Sequence, residues 1–295
     1  MNSIKKITEQ VNYQSQNIDK KSIIDILRLI NDQDSKVSTA VSKALPAIDL
    51  FISDLVKSMY NGGRLIYVGS GTSGRLGVLD ASECPPTFNT DKGLVVGVIA
   101  GGKKALSESI ENAEDDLHNG MKTVRELNLK RNDTILGISA SGDTQFVVGA
   151  IDEGFKNKCT TGLLTFNDVN NDKVDHLIKV DVGPEIIAGS TRMKSGTATK
   201  MILNMITTTS MIKLNKTYGN LMIDLKVRNK KLLKRAINLI QTITGLNENE
   251  SQKLLIKSDN NVKIAIVMHI KKISYNDALE KLNNHQGSLV KVIDE

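Results

Sequence analysis

Gly69-Ser70-Gly71-Thr72-Ser73-Gly74 interleaves glycine with hydroxyl side chains. Glycine lets backbone N–H groups converge, and a helix opening at such a loop adds the positive end of its dipole, so an anion is the expected guest. Ser70, Thr72 and Ser73 can each donate to an oxygen, which suits a phosphate monoester. The spelling also fits the G-x-G-x-x-G of dinucleotide-binding units, which want an acid at the end of the next strand to hold a ribose. Here that strand runs into Ala100-Gly101-Gly102 and the nearby Asp91 precedes it, so a nicotinamide cofactor is not expected. Ser139-Ala140-Ser141-Gly142-Asp143-Thr144 repeats the chemistry with Ser139, Ser141 and Thr144. A third segment, 189–197, begins a helix and brings Ser190 and Thr191 together with the cations Arg192 and Lys194. Each segment alone also reads as a helix cap rich in Ser and Thr. Two such loops at successive strand ends favour a ligand, because open α/β sheets bind there.

Acids and bases come next. Pro85 and Pro86 restrict the backbone after Glu83, so its carboxylate is expected at a fixed break in structure, off any solvated helix. Glu114 lies in Glu111-Asn112-Ala113-Glu114-Asp115-Asp116, expected as a helix with Leu106, Ile110, Ala113 and Leu117 on its apolar face. Taken alone, such an acid run reads as a solvated face. His118, His176, His269 and His285 are scattered, without Ser-His-Asp or Cys-His logic. Neither Cys84 nor Cys159 has a second Cys or His at zinc-ligand spacing, so no disulfide framework and no structural metal site are expected, and where two carboxylates can serve as acid and base no cofactor is required.

The elements that must position these groups are legible from period. Short continuous apolar runs at 65–68, 94–100, 134–139, 161–166 and 177–182, separated by helix-length segments, read as strands covered on both faces and joined by right-handed crossovers. The fold class is therefore α/β, a doubly wound parallel sheet over 50–220. An N-terminal helical segment, 1–49, precedes it after a polar leader, with Ile23, Ile24, Ile26, Leu27, Leu29 and Ile30 on one half of a helix. From Pro46 a second amphipathic helix carries Ile48, Phe51, Ile52, Leu55, Val56 and Met59 and closes at Gly62-Gly63. Beyond 220 the strands stop, and 221–295 reads as a small all-helical domain. Asn247 with Glu250, and Ser274 with Asp277, mark helix starts around a central apolar helix at 262–270.

Composition narrows the partners. Over 295 residues, 40% hydrophobic and 24% charged content describes a folded globular chain. Five Tyr, five Phe and no Trp leave few stacking platforms for nucleic acid, and +6 is modest for this length. The basic run Lys226, Arg228, Lys230, Lys231, Lys234 and Arg235 reads as a solvated helix face. No apolar run reaches membrane length and the polar leader contains no apolar segment that could serve as a signal-peptide core, so no membrane is expected; reduced cysteines suit the cytoplasm.

The residues also carry a resemblance. The stretch 62–88, including Gly69-Ser70-Gly71-Thr72-Ser73-Gly74-Arg75-Leu76-Gly77 and Asp80-Ala81-Ser82-Glu83-Cys84-Pro85-Pro86-Thr87-Phe88, closely resembles the signature of N-acetylmuramic acid 6-phosphate etherases. Ile99-Ala100-Gly101-Gly102, Ala113-Glu114-Asp115-Asp116, the segment 189–197, Tyr218-Gly219-Asn220-Leu221-Met222 and the segment 262–268 look like further family blocks. The resemblance implies a sugar isomerase (SIS) domain, a C-terminal domain similar to a ubiquitin-associated fold, a homodimer and a cytoplasmic location. It implies cleavage of a phosphosugar's D-lactyl ether, with Glu83 and Glu114 on the family's two catalytic glutamates.

Departures from the family pattern are Asp143 and Gln145, where a basic residue and then Thr-Pro are usual, Asn112 for a common glycine, Ser70 for a common alanine and Thr199 for a common glutamine. A negative charge at 143 is expected to weaken binding of a phosphate or carboxylate. The alternative reading is a non-catalytic sugar-phosphate sensor of the same fold that meets a partner protein through its helical tail. Retention of both glutamates favours the enzyme.

Overall fold

The structure, a computed structural model, describes residues 6–225, 227 and 229–295; Lys226 and Arg228 of the basic run lie outside the described residues. The chain divides into two compact units, Met1–Ser82 with Gly93–Thr207, and Glu83–Lys92 with Thr208–Glu295.

In the first unit, β1 (Leu65–Gly69), β2 (Val95–Ile99), β3 (Thr134–Ile138), β4 (Thr160–Thr165) and β5 (His176–Lys179) form one parallel sheet in the order β2-β1-β3-β4-β5. Every residue of β1 and β3 is buried, as continuous apolar runs require. Gly69 at the end of β1 faces Ile99 of β2 and Ile138 of β3, so the loops that follow these strands leave the sheet at one level. The chain goes from β1 to one side and then crosses to the other. The switch point between β1 and β3 is where ligands of open α/β sheets bind.

The helices are α1 (Ile23–Asp34), α2 (Val37–Tyr60), α3 (Gly71–Phe88), α4 (Leu117–Arg125), α5 (Gln145–Lys156) and α6 (Lys194–Lys213). Ile66 and Val68 pack with Val124 of α4 and with Phe146 and Ala150 of α5. The opposite face carries Tyr67, whose hydroxyl meets Asp80 of α3 at 3.1 Å. Asp80 also accepts from Asn204 (2.6 Å) and Thr207 (3.2 Å) of α6, which ties the two helices together. At the amino ends of the strands, Arg64 and the buried Asp133 pair at 2.6 Å and lock β1 beside β3.

One expectation needs correction here. The second helix begins at Val37, well before Pro46, which it contains. Apolar residues Val37, Val41 and Ala44 continue the buried face upstream of the proline and hold that first part in place. The apolar half of α1 exists, yet Ile23, Ile24 and Leu27 stand 80%, 52% and 55% exposed.

The second unit contains α7 (Lys230–Thr244), α8 (Glu248–Lys257), α9 (Val262–Lys271), α10 (Tyr275–Asn284) and α11 (Leu289–Asp294). Asn247 with Glu250 and Ser274 with Asp277 both form reciprocal capping boxes. Val262 to Val267 are all buried, so α9 is the central helix. Among the described residues no helix is long and apolar enough to cross a membrane.

Candidate active site

The first glycine loop turns directly from β1 into α3. Gly71 sits at φ +49°, and a Cβ on Gly74 would lie 2.6 Å from Ile99 Cγ1 and 2.7 Å from the Gly69 carbonyl oxygen. Only glycine lets the first turn of α3 lie this close to the strand ends. The second loop is organised by Ser139, whose buried Oγ accepts from Gly142 N at 3.0 Å and meets Thr144 Oγ1 at 2.8 Å. Thr144 precedes α5 without capping it through its side chain, and Phe146 N in the first turn of that helix is already taken by Glu114 O at 3.0 Å. A cavity of about 240 Å³ is lined by Ser70, Thr72, Ser73, Ser139, Ser141, Thr144 and Thr191, together with Glu114. The structure thus brings both hydroxyl loops and one of the two glutamates to the switch point.

The third segment joins this group only in part. Thr191 reaches the cavity, whereas Ser190 and Arg192 stand outside its lining. Lys194, expected as a substrate cation, is 3% exposed and donates from Nζ to Val182 O (2.8 Å) and Gln33 Oε1 (3.2 Å). Burial pulls its pKa below the ordinary lysine range, the nearby Glu185 charge opposing. Nor is the α6 N-terminus open to an anion: the buried Glu185 carboxylate accepts from Lys194 N at 3.1 Å and Ser195 N at 2.9 Å. A resident carboxylate already occupies the place a phosphate would take.

Glu114 is not on a helix. The chain from Ser107 to Asp115 is irregular, and α4 starts only after Asp116, whose side chain caps Asn119 N at 2.8 Å. Asn112 adopts φ +59°, a left-handed conformation that breaks any helix through this point. Asparagine tolerates it better than most residues, which accounts for Asn112 at a position where glycine is common. The loop is braced by Arg75 of α3, which donates to Leu106 O (3.2 Å) and Glu108 O (2.9 Å). Phe146 N donates to Glu114 O at 3.0 Å, and Ser70 Oγ donates to Glu114 Oε2 at 3.1 Å. The serine at a common alanine position therefore orients the carboxylate.

Glu83 belongs to the second unit. The expected break before Pro85 does not occur, because α3 runs on to Phe88 and contains both prolines. Their missing N–H groups leave the carbonyls of Ala81 and Ser82 without ladder donors, and the turn ends at Asn89, φ +51°. Glu83 is exposed and lines a cavity of about 700 Å³ with Lys231 and Arg235 of α7, two cations expected on a solvated face.

Asp143 answers to a residue that sequence reasoning missed. Lys6 pairs with it, and Gln145 Nε2 donates to its carbonyl at 3.0 Å. Burial pushes the Asp143 carboxyl up, but the bonds from Lys6 and Ser141 more than reverse this, leaving it below the ordinary carboxylate range. The expected excess negative charge is thus matched by a lysine from the polar leader. Thr8 and Glu9 also line the hydroxyl cavity. Nothing in the pattern of residues 6–9 marks them, since neither spacing nor period says where an irregular segment will dock.

Known proteins share both the sequence and the fold. Residues 47–155 match the family described as the glucokinase regulatory protein N-terminal SIS domain, and residues 219–263 the C-terminal lid domain of glucokinase regulatory protein. An N-acetylmuramic acid 6-phosphate etherase of Clostridium beijerinckii is 44% identical, with 98% of this chain and 95% of that protein covered. An N-acetylmuramic acid 6-phosphate etherase 1 of Bacillus licheniformis is 49% identical, over 88% of this chain and 86% of that protein. Among solved structures, a phosphoheptose isomerase from Francisella tularensis shares the fold, with TM-score 0.51 and 18% identity over 65% of this chain and 100% of that one.

Proposed function

The chain belongs to the family of N-acetylmuramic acid 6-phosphate etherases, and from that premise we propose how its own residues divide the reaction. The enzyme cleaves the D-lactyl ether of N-acetylmuramic acid 6-phosphate to N-acetylglucosamine 6-phosphate and D-lactate. The observation that carries this reading is the likeness along nearly the whole chain. The sensor alternative finds no support, because these relatives are etherases over almost their full length.

An unactivated ether resists hydrolysis, but the open-chain sugar offers another route. Its C2 proton lies beside the aldehyde and its C3 lactyl ether lies β to it. A base removes the C2 proton, the electron pair forms the C2–C3 double bond, and the C3–O bond breaks with a proton delivered to the departing lactate oxygen. Water then adds at C3 and a proton returns to C2, so one water is consumed in total. This needs a base and an acid that exchange roles for hydration. In our reading Glu114 is the base and Glu83 the acid. Supporting the first is the fixed position of Glu114 at the switch point, with Ser70 on its carboxylate. The phosphate is assigned to Thr72, Ser73, Ser141 and Thr144, donors that line the same cavity. Ser139 organises the second loop from within.

Purified enzyme incubated with N-acetylmuramic acid 6-phosphate in ¹⁸O-labelled water is expected to give equal amounts of the two products, with label at C3 of the sugar. Label in lactate would mean cleavage on the lactyl side and would overturn the elimination.

We also propose a homodimer. Ile23, Ile24 and Leu27 of α1 form an exposed apolar face of the kind a second copy covers. Sedimentation equilibrium should give twice the chain mass, falling toward one in Leu27→Glu; a wild-type monomer would refute it. We place the reaction in the cytoplasm, where a phosphomonoester is retained by its charge.

A further inference from the structure

Thr8 and Glu9 form a wall of the hydroxyl cavity that has no part in the elimination and hydration steps. The wall is fixed by internal bonds on both sides. Ile7 N donates to Asn167 Oδ1 at 2.7 Å, Asn167 Nδ2 donates to Thr8 Oγ1 at 3.1 Å, and Gly189 N donates to Thr8 O at 3.0 Å. Thr8 and Asn167 are each 2% exposed. Asn167 Nδ2 also donates to Ala140 O at 2.8 Å, so one buried amide ties this segment to the loop that carries Ser139 and Ser141. Glu9 follows directly and lines the cavity. Its Oε2 lies 3.5 Å from where a Cβ on Gly189 would stand, and Gly189 itself has φ +78°.

Glu9 forms no ion pair among the described residues, unlike Asp143 beside the same loop. An ionised carboxylate is an acceptor only, and close to a phosphate it would be repelled. It therefore suits the part of a ligand that presents donors. The cavity then offers two kinds of partner: hydroxyl donors for the phosphate, and the carboxylates of Glu9 and Glu114 as acceptors, of which Glu114 is the proposed base and Glu9 is left for the sugar's own hydroxyl or acetamido N–H groups.

Resting on the etherase reading, we propose that Glu9 is a specificity-determining residue whose carboxylate accepts from the donor groups of an N-acetylated sugar phosphate. It acts on binding of the carbohydrate and not of the phosphate. The test is calorimetric titration of the full chain with N-acetylglucosamine 6-phosphate and, separately, with inorganic phosphate. Glu9→Ala should weaken the sugar phosphate roughly tenfold, the scale of a hydrogen bond to a charged group, and leave inorganic phosphate no weaker. Glu9→Gln, which keeps a carbonyl acceptor without the charge, should fall between. Unchanged sugar-phosphate affinity in both variants overturns the proposal, as does parallel tightening of both ligands, which would make Glu9 a repelling charge only. Turnover of N-acetylmuramic acid 6-phosphate by the wild type is measured alongside. Absence of wild-type turnover with selective loss of sugar-phosphate affinity in Glu9→Ala would remove the etherase reading and keep the subsite; turnover with an indifferent Glu9 would do the reverse.

Discussion

Alanine at Glu114 should abolish exchange of the C2 proton with deuterated water, whereas alanine at Glu83 should leave exchange measurable and abolish lactate release. Each substitution is expected to lower turnover by roughly a thousandfold, within the range that positioned acids and bases contribute. The distinction follows from the order of events. Proton abstraction at C2 comes first and needs only the base, while departure of lactate needs a proton on its oxygen. The surroundings of Glu114 suit a base held in one position. Its loop is braced by Arg75, its backbone carbonyl is bonded to Phe146 N, and Ser70 donates to Oε2 at 3.1 Å. Deuterium incorporation followed by NMR, with lactate quantified in the same sample, separates the steps. Exchange at the wild-type rate in Glu114→Ala would sink the base assignment. Loss of both exchange and release in Glu83→Ala, with Glu114→Ala retaining exchange, would make Glu83 the single carboxylate for both steps.

What could be read from the sequence divides along a physical line. The five strands and the capped helices of the second unit were visible because a buried strand and a capped helix each impose a local pattern: continuous apolar runs in one case, Asn247 with Glu250 in the other. The switch-point loops were visible for a similar reason, since glycine and hydroxyl residues must both sit at the turn. For Glu114 the sequence pattern predicts a helix where the structure has an irregular loop. Leu106, Ile110, Ala113 and Leu117 keep helical spacing, but Asn112 and the cap at Asp116 divide the stretch, and the short-range conformational preference overrode the period.

The third segment shows a different limit. Its hydroxyls and cations looked like the other loops, yet Glu185, buried and close in sequence, caps α6 in the place of a ligand. An acid that completes a helix and an acid that acts on substrate look alike until their hydrogen bonds are known. Lys6 and Asp143 make the same point at long range. A charge that looked unfavourable in its own loop is matched by a residue 137 positions away, and no local pattern encodes that distance.

Removing the Asp224 carboxylate should produce the largest loss of stability. Asp224 Oδ2 lies 3.1 Å from both Lys263 Nζ and Lys216 Nζ, and Asn89 Nδ2 donates to Oδ1 at 3.2 Å. Lys263 is 8% exposed and also donates to Asn215 O at 2.7 Å. One carboxylate therefore joins α9, the turn after α6 and the segment that carries Glu83. Asp224→Ala leaves a buried ammonium beside a second cation, and breaking such a pair from one side costs about 3–5 kcal/mol. Lys216→Ala removes the more exposed partner and should cost well under half as much. Burial pushes the Asp224 carboxyl up, while the Lys263 and Lys216 charges and the Asn89 bond outweigh it and hold it below the ordinary carboxylate range. Its folded pKa is thus lower than its unfolded one. The contribution is fully present above about pH 4, the unfolded carboxylate range, and is lost as pH falls through the depressed value. Urea unfolding followed by hydrogen exchange in α9 should show Asp224→Ala strongly destabilised at pH 7 and the gap to wild type closing in acid. A gap that persists unchanged at pH 3, or equal losses in Asp224→Ala and Lys216→Ala, would mean that the cluster does not hold this unit together through charge. Pairing Asp224→Leu with Lys263→Met should recover most of the loss, because an apolar pair of similar volume needs no partner. Turnover should then report whether the segment bearing Glu83 depends on the Asn89 bond or only on the packing of the unit.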